Sequence, residues 1–355
     1  MSKRSKNRNK KNKIIIILLL LIVISGAAFA ATVIIKNNEG QPTDNTSNTE
    51  EEPAKEKVKK EEPKVKIFSG TDRPLAVMID NNNYAWPQAG LNQAYLVYEI
   101  IVEGGETRLM ALFKGQDVEK IGPVRSARHY FIDYVMENDA IYAHYGWSPQ
   151  AQDDVSRFGI NNMNGITEST DVFWRVKDKS APHNAVASSE SLLTRAKEKG
   201  YRLTSNKKSV LNYTTDVVNL EEGTVANLVT IPHSYLQKVM YEYDEEAKVY
   251  KRYARKKEQT DWDTGEPVTT KNIIITFCNN YTLDDGDDAG RQGLYNIGTF
   301  NGYYITNGKA IQIKCTKEDR DSQTVYKDLE GNEIKVNDGN TFIHICPKDA
   351  EVEIE

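Results

Sequence analysis

The pattern of apolar and polar positions changes character once in the part of the chain that follows residue 66. Between residues 67 and 220, short apolar runs typical of strands alternate irregularly with segments whose apolar residues recur every three or four positions. Between residues 221 and 355, apolar and polar residues mostly alternate, as in strands with one buried face. The pattern predicts an α+β fold: a mixed α/β N-terminal domain (67–220) followed by a mostly β C-terminal domain (221–355).

The N-terminal domain is predicted to contain several strands and three helices. The helix predicted from Gly122 has proline at its first position, where a missing N–H costs nothing, and its apolar residues form one stripe for the core. Serine N-caps begin the other two helices, which end at Gly159 and Gly200. The stripe consists of Ala127, Tyr130, Phe131, Tyr134 and Val135. The predicted strands are RPLAVMID (73–80), AYLVYEIIVEGG (94–105), TRLMALF (107–113) and AIYAHYG (140–146).

The first 66 residues predict an anchor and a tether. Residues 1–13 hold seven Lys or Arg, and residues 14–35 are free of charge over 22 positions, enough to span a hydrocarbon core of about 30 Å. Because basic flanks stay in the cytoplasm, the rest of the chain is expected outside it. Residues 36–66 are rich in Asn, Thr, Glu, Lys and Pro and predict a charged, disordered tether.

A cleaved signal peptide is the alternative for the same segment. Ala28-Phe29-Ala30 resembles a signal-peptidase site, and cleavage near Ala30 would secrete the protein. The apolar run continues to Ile35, which favours a single-pass membrane anchor. Both interpretations place the two domains outside the cytoplasm, and no cysteine near the run could carry a lipid.

The charge of the two domains argues against nucleic acid as a partner. Residues 67–355 carry 32 Lys or Arg and 43 Asp or Glu, a net charge of −11 with neutral histidines. The run DEEAKVYKRYARKK combines tyrosines with basic residues, but in an acidic exported domain we interpret it as a hairpin edge with solvated charges. Asn307-Gly308 and residues 330–332 predict further hairpin turns.

The three cysteines are odd in number and fit no metal motif. Each ends a strand-like run, so we interpret them as small buried apolar residues. A disulfide between Cys315 and Cys346 stays open as an alternative, because the chain is expected in an oxidising compartment.

The helix predicted from Gly122 carries an unusual charge. Arg125 and Arg128 lie near its N-terminus, where the unpaired N–H groups and the helix dipole favour anions rather than cations. Two cations there require a negative partner, which is either a carboxylate of the chain or a ligand.

A family resemblance rests on eight stretches that follow one another through both domains. They are RPLAVMIDN, EGGETRLMALF, GPVRSARHYF, HYGWSP, APHNA, the GR of DDAGRQG, NGYYITNGK and DLEGNEIKVNDGNTFIHICP. With these stretches the chain resembles the YerB-like family, envelope proteins of Gram-positive bacteria that are described as lipoproteins of unknown function. The resemblance implies an N-terminal and a C-terminal domain and an envelope location, but no reaction. Members called lipoproteins need a cysteine at the membrane, which this chain lacks.

Polar residues in these stretches are the candidates for a binding site. Arginine is suited to carboxylate and phosphate because its planar fork matches their geometry. The alternative is internal pairing of the arginines with Glu103 or Glu106, a network that fixes geometry without chemistry. The candidate anion-binding residues are Arg108, Arg125, Ser126, Arg128, Asn184 and Arg291.

Catalytic candidates are fewer and form no complete motif. Glu103, His144 and His183 could act as acid or base near neutral pH. The two histidines are 39 positions apart without an HxH or HExxH arrangement, so no metal site is predicted. No P-loop, GxSxG or GxGxxG motif occurs, and no cofactor is predicted.

Two functions of different classes follow from these observations. The first is a membrane-tethered, non-enzymatic module that binds a cell-wall polymer or an envelope protein through the arginine site. The second is a cell-wall polymer hydrolase or transferase in which Glu103 or His144 is the acid or base and the arginines hold an anionic group. The sequence leaves the choice between them, and the oligomeric state, open.

Overall fold

The structure is a computed structural model that describes residues 64–355. Within these residues there are three α-helices, α1 (His129–Glu137), α2 (Pro149–Arg157) and α3 (Ser189–Glu198), and short 3-10 turns at Asn83–Ala85, Leu91–Gln93 and Glu103–Gly105. The strands of the first half are β1 (Leu75–Asp80), β2 (Leu96–Ile101), β3 (Thr107–Phe113), β4 (Ile141–His144), β5 (Asn162–Asn164), β6 (Trp174–Arg175), β7 (Ala185–Val186) and β8 (Tyr213–Thr214).

The strands of the second half are β9 (Thr224–Val225), β10 (Leu228–Pro232), β11 (Lys238–Asp244), β12 (Val249–Ala254), β13 (Lys257–Glu258), β14 (Thr269–Thr270), β15 (Asn272–Thr282), β16 (Gln292–Tyr295), β17 (Gly298–Thr306), β18 (Lys309–Lys317), β19 (Val325–Lys327), β20 (Val336–Asn337), β21 (Thr341–Pro347) and β22 (Glu353–Ile354). The predicted fold class is confirmed: helices and strands mix in the first half, and strands dominate the second.

One large mixed sheet contains strands from both halves. Its order is β19-β18-β17-β15-β21-β2-β3-β1-β4-β5, with β16 paired to β15 and β9 to β18. Strand β21 lies between β15 and β2 and runs parallel to both. The sheet therefore continues across the boundary near residue 220, and the two sequence domains share one set of backbone hydrogen bonds.

Both faces of the large sheet are covered. Side chains of β1 alternate between two apolar clusters, with Val77 and Ile79 in one and Ala76 and Met78 in the other. A second sheet, ordered β13-β12-β11-β10-β22 with β14 beside β12, packs in the first cluster. Helix α1 packs in the second cluster. Burial on both faces explains why β1 is a continuous apolar run in the sequence.

The helix predicted from Gly122 begins later than expected, at His129. The five stripe residues are all buried, as predicted. The segment before the helix is instead extended: Arg125 N–H donates to the Met78 carbonyl at 2.9 Å, and Val124 N–H donates to the Ala185 carbonyl at 2.6 Å. These hydrogen bonds pair backbone N–H groups with neighbouring segments, so a helix is not needed to satisfy them.

The other two predicted helices are confirmed with their caps. The hydroxyl of Ser148 accepts from the Ala151 N–H at 3.2 Å at the start of α2. Ser188 and Ser191 form a reciprocal capping box at the start of α3. The turn predicted at Asn307-Gly308 joins β17 to β18, and both residues have positive φ, as that tight turn requires.

The N-terminal predictions lie outside the described residues. These are the basic tail (1–13), the apolar segment (14–35) and nearly all of the tether (36–66). Among residues 64–355, no helix combines the length and the hydropathy that crossing a bilayer would need.

All three cysteines are buried thiols without a disulfide, so the Cys315–Cys346 bond left open by the sequence is not formed. Burial raises the pKa of the Cys278 and Cys315 thiols to about 12. The pKa of Cys346 is also raised well above its ordinary value, chiefly by burial. The thiolate is the reactive form, so these side chains are protected both sterically and electrostatically.

We expect a thiol reagent such as Ellman's reagent to leave the native protein unlabelled at neutral pH over minutes. Unfolding in guanidinium chloride without reductant should release all three thiols, because none is held in a disulfide. Release of a single thiol would show that two cysteines are bonded, and rapid labelling of the native protein would show that one is accessible.

Candidate functional site

The candidate site lies at the carboxyl end of β1, of which Asp80 is the last residue. Asp80 lies opposite Arg108 of β3, and its N–H donates to the Pro123 carbonyl at 2.8 Å. Its carboxylate is only 4% exposed. The oxygen Oδ2 accepts from His183 Nδ1 at 2.7 Å and lies 3.3 Å from Nε of Arg125. Two segments distant in sequence therefore meet at one carboxylate.

Two of the candidate arginines are paired within the protein. Arg128 donates from Nη2 to Oε2 of Glu103 at 2.9 Å and from Nε to Oε1, a two-pronged pair, and its Nη1 donates to the Ala127 carbonyl. Arg108 lies 3.7 Å from Glu103 and donates to the Ser126 carbonyl at 2.7 Å. For these two arginines, the negative partner is a carboxylate of the chain.

The charge of Glu103 is fixed by this pairing. Burial by itself raises the pKa of Glu103, but the hydrogen bonds and positive charges of Arg128 and Arg108 outweigh it. The pKa of the carboxyl therefore lies below its ordinary value, which keeps Glu103 ionised. An ionised carboxylate held by two arginines is poorly suited to donate a proton as a general acid.

Glu106, the other predicted internal partner, faces a different arginine. Its carboxylate pairs with Arg255 and accepts from Gln237 Nε2 at 2.6 Å. Both partners belong to the second half of the chain. Glu106 therefore joins the two halves and does not contact Arg125 or Arg128 through an ion pair within residues 64–355.

Arg125 differs from the other two arginines. Its only ion pair within the described part of the chain is through Nε, to Asp80, and its terminal amino groups have no hydrogen-bond partner there. The side chain is 27% exposed. Neighbouring Ser126 does not add a free hydroxyl, because its Oγ donates to the Tyr145 carbonyl at 2.9 Å. The guanidinium fork of Arg125 is thus oriented by Asp80 and open to a ligand.

An aromatic pocket lies beside His183. The rings of Tyr84 and His183 are 5.7 Å apart between centroids. Lys179 donates to the Trp86 carbonyl at 2.8 Å, and its ammonium lies 4.0 Å from the centroid of the Trp262 ring. Tyr84 is 74% exposed, which is high for a large aromatic residue. The remaining lining residues are Pro87, Asp178, Ser180, Ala181 and Pro182.

Trp262 reaches this pocket from the second half of the chain. The backbone N–H of Trp262 donates to the Gln88 carbonyl at 2.8 Å. The carboxylate of Asp261 accepts from the Gly90 N–H at 3.0 Å. Gln259 donates to the side-chain oxygen of Gln88 at 2.8 Å. Because these bonds tie the loop before β14 to the loop after β1, both halves form the pocket.

Asn184 supports the loop that carries His183. Its amide donates to the carbonyls of Val176 and Lys179 at 3.0 and 3.2 Å, and its oxygen accepts from Arg175 at 2.6 Å. All of its side-chain groups are used in this way. Asn184 therefore holds the loop that carries His183, whereas it was predicted from the sequence to bind the anion.

Arg291 lies in a separate network. It pairs with Asp285 at 2.9 Å and with Asp287 at 2.7 Å in its own loop. Asp285 also accepts from Gln150 of α2, which connects the two halves. Within residues 64–355, none of its ion pairs involves the residues around Asp80, so the structure does not bring Arg291 into the candidate site.

His144 is fully buried, and both of its ring nitrogens are engaged. Nδ1 lies 2.8 Å from the Gly146 carbonyl, and Nε2 lies 3.2 Å from the side-chain oxygen of Asn162. Burial lowers the pKa of His144 to about 4, so the ring is neutral. Both ring nitrogens are thus bonded within the protein at the end of β4, and neither is free for a substrate in this structure.

A buried ion pair that was not predicted from the sequence is connected to the site by hydrogen bonds. Glu99 of β2 and Arg252 of β12 are both fully buried, with Nη2 2.7 Å from Oε2. The other oxygen of Glu99 accepts from Thr107 at 2.7 Å and from Asn81 at 3.2 Å. Asn81 in turn accepts from the indole N–H of Trp86 at 3.1 Å. The network extends from the second sheet to the wall of the pocket.

The sequence does contain a signal for this arginine. In β12, Tyr250, Arg252 and Ala254 are buried, whereas Lys251 and Tyr253 on the opposite face are partly exposed. Alternation in the run VYKRYA places the arginine with the apolar residues. The interpretation of DEEAKVYKRYARKK as a solvated hairpin edge is therefore wrong at three of its fourteen positions, Tyr250, Arg252 and Ala254.

Glu99, His233 and His344 bring three potential metal ligands within 4.8 Å of one another. Arg252, however, already neutralises Glu99, and burial lowers the pKa of both histidines, so they are neutral. A divalent cation would add two uncompensated positive charges to a fully buried site. The histidines instead contact each other at 3.0 Å, and His344 contacts the Tyr241 hydroxyl at 2.9 Å. These residues fit a hydrogen-bonded network better than a metal site.

Replacing Arg252 by Met should destabilise the protein by about 3–5 kcal/mol, because Glu99 would remain buried without its counter-charge. Urea unfolding measures this difference. The double variant Glu99→Gln/Arg252→Met should recover part of the loss. Lys251→Met, on the exposed face of the same strand, is the matched control and should change stability by about 0.5 kcal/mol or less. Equal effects of Arg252→Met and Lys251→Met would contradict the buried pair.

The same pair predicts a pH dependence. Burial alone raises the pKa of Glu99, but Arg252 outweighs it, and the pKa falls from 4.5 to about 2. A depressed folded-state pKa means that the stabilisation is complete above pH 4.5 and is lost as the pH falls toward 2. The wild type should therefore lose more unfolding free energy between pH 4.5 and 2 than the double variant. Parallel curves for the two proteins would contradict this contribution.

Two protein-family models match successive parts of the chain. Residues 60–202 match a model described as "Protein of unknown function (DUF3048) N-terminal domain". Residues 229–343 match the corresponding "C-terminal domain". Together the two models cover strands of the large sheet from both halves of the chain.

Known proteins extend this similarity over most of the chain. The chain is 31% identical, over 283 residues, to "Putative lipoprotein YerB" of Bacillus subtilis (strain 168), which covers 78% of this chain and 81% of that protein. The crystal structure of the YerB protein from Bacillus subtilis matches with a TM-score of 0.71 at 30% identity, covering 80% of this chain and 94% of that chain. The chain therefore belongs to the YerB-like family, with its N-terminal and C-terminal domains.

Proposed function

We propose that this protein is a membrane-tethered envelope protein that binds an anionic cell-wall polymer in the pocket beside Arg125. The location is supported by the sequence of residues 1–66 and by the name of the Bacillus subtilis relative, "Putative lipoprotein YerB". A tether of about 30 residues would allow the ectodomain to work at some distance from the membrane. The ectodomain would then meet wall polymers as its most abundant neighbours.

The observation that carries this proposal is the state of Arg125. Its Nε is held by Asp80, while its terminal amino groups have no protein partner within residues 64–355. Arg108 and Arg128, in contrast, are paired with Glu103. A guanidinium oriented in this way can bind a phosphate or carboxylate with two parallel hydrogen bonds.

The aromatic residues indicate what else the ligand contains. Tyr84, Trp86 and Trp262 line the pocket together with His183 and Lys179. Aromatic rings with a few placed polar groups are typical of ligand pockets, and they suit the apolar faces of sugar rings. A sugar- or polyol-containing chain with regularly spaced negative charges matches both features.

The net charge of the ectodomain limits how such a polymer could bind. With a net charge of −11 over residues 67–355, the protein as a whole repels polyanions. Binding must therefore depend on the local positive charges of the pocket. Such binding is expected to weaken with salt, because the contacts are exposed to solvent.

We expect Arg125→Gln to reduce co-sedimentation of the ectodomain (64–355) with cell walls at least fivefold, with little change in melting temperature. Arg291→Gln is the matched control: that arginine is also partly buried, with 17% of its side chain exposed, but it pairs with Asp285 and Asp287 outside the pocket. It should bind like the wild type. Walls stripped of anionic polymers should retain little protein.

Two outcomes would contradict the proposal. If stripped walls bind as much protein as intact walls, the ligand is not the anionic polymer. If Arg125→Gln and the wild type bind intact walls equally, the polymer does not use this pocket. Loss of binding by Arg291→Gln alone would move the site to the loop of Asp285.

A further inference from the structure

We propose that Asp80 and His183 form a general-base dyad that hydrolyses phosphodiester bonds in the polymer bound at this pocket. The inference rests on the proposed function and goes beyond it, because binding alone needs no base. It also assigns the acid–base role to residues other than Glu103 and His144, whose contacts within the described chain exclude them.

The geometry of the dyad orients the imidazole. A carboxylate only accepts hydrogen bonds, so the 2.7 Å contact requires the proton on Nδ1 of His183. The lone pair of the neutral ring then lies on Nε2. That nitrogen has no hydrogen-bond partner in residues 64–355, and the side chain, 15% exposed, lines the aromatic pocket. In many acid–base sites, a buried carboxylate holds the catalytic histidine in one tautomer and one orientation in this way.

The position of the carboxylate also provides charge compensation. Asp80 is 4% exposed and remains close to His183 when the ring takes up a proton. An imidazolium formed during the reaction would therefore be stabilised by an ion pair that is already in place. The Tyr84 ring lies beside the imidazole, with 5.7 Å between the ring centroids.

Arg125 places a positive charge next to the base. Its Nε and the Nδ1 of His183 approach the same oxygen of Asp80, at 3.3 and 2.7 Å. The proposal requires that a phosphodiester group bound by the terminal amino groups of Arg125 also reaches Nε2 of His183, whose Nδ1 shares the Asp80 oxygen with Arg125. The non-bridging oxygens of that group gain charge during hydrolysis, and a fixed guanidinium stabilises that charge without reorganisation. This match favours a phosphodiester over a carboxylate as the reacting group.

The proposed step is a balanced hydrolysis. Nε2 of His183 takes a proton from water while the water oxygen bonds to phosphorus. The bond between phosphorus and the leaving oxygen breaks on the opposite face, the leaving oxygen takes a proton from solvent, and the imidazolium returns its proton to solvent. The products are a phosphomonoester and an alcohol, and the ring is neutral again. The step consumes only water.

The alternative role for the dyad is structural, since it also ties the loop of residues 176–184 to the end of β1. The two roles predict different responses to substitution. A structural contact affects melting temperature and binding together. A general base affects turnover, and a small external base can replace it in part.

The test uses the purified full chain in detergent, with EDTA present, and two probes: a synthetic poly(glycerol phosphate) and bis(4-nitrophenyl) phosphate. We expect the wild type to release phosphomonoester ends and 4-nitrophenolate. His183→Gln should lower the rate at least 100-fold while polymer binding and melting temperature are retained. His129→Gln, a substitution of a histidine outside the pocket, is the control and should react like the wild type. In His183→Ala, added imidazole should restore part of the rate.

The outcomes separate this inference from the proposed function. If the wild type binds the polymer but hydrolyses neither probe, the dyad is not catalytic and the binding function stands. If hydrolysis persists in His183→Gln, or if imidazole does not rescue His183→Ala, His183 is not the base. If the wild type does not bind the polymer, the proposed function fails and the inference fails with it.

Discussion

The arrangement of this protein depends on one buried ion pair, between Glu99 of the large sheet and Arg252 of the second sheet. Both side chains are fully buried, so each needs the other to offset the cost of desolvation. The contact therefore requires that the two sheets, and hence the two halves of the chain, pack together. Through Thr107 and Asn81 the same network reaches the loop after β1, where the candidate site lies. Hydrogen bonds therefore connect the buried ion pair between the sheets to the loop that forms the pocket.

The arginine cluster has two different roles that the residue type alone does not distinguish. Arg128 and Arg108 neutralise Glu103 and hold the loops around it. Arg125 shares Asp80 with His183 and keeps its terminal amino groups available. One constraint explains both roles: each buried carboxylate must be paired with a cation, and only a cation whose donors are not all used in that pairing can bind a ligand. This places the proposed binding and acid–base roles at Asp80 rather than at Glu103.

Most individual elements could be predicted from the sequence. The apolar runs of β1 and β3, the serine caps of α2 and α3, and the turn at Asn307-Gly308 are local signals with local causes. The start of α1 could not be predicted in this way. Residues 122–128 have a good helix-start sequence, but their backbone groups pair with β1 and with β7. Tertiary pairing overrides local helix propensity because hydrogen bonds to β1 and β7 satisfy the same backbone donors.

By itself the sequence determined the fold class, the two-part organisation and some of the polar residues around the candidate site, among them Arg125 and His183. It could not determine which of those residues meet. His183 lies 103 positions from Asp80, and Arg252 lies 153 positions from Glu99, so no spacing rule connects them. His144 and His183 looked equivalent, yet one is buried with both nitrogens engaged and the other faces a pocket. Only the tertiary structure made that choice, because burial and pairing, rather than residue type, decide whether a charged or titratable group is available for chemistry.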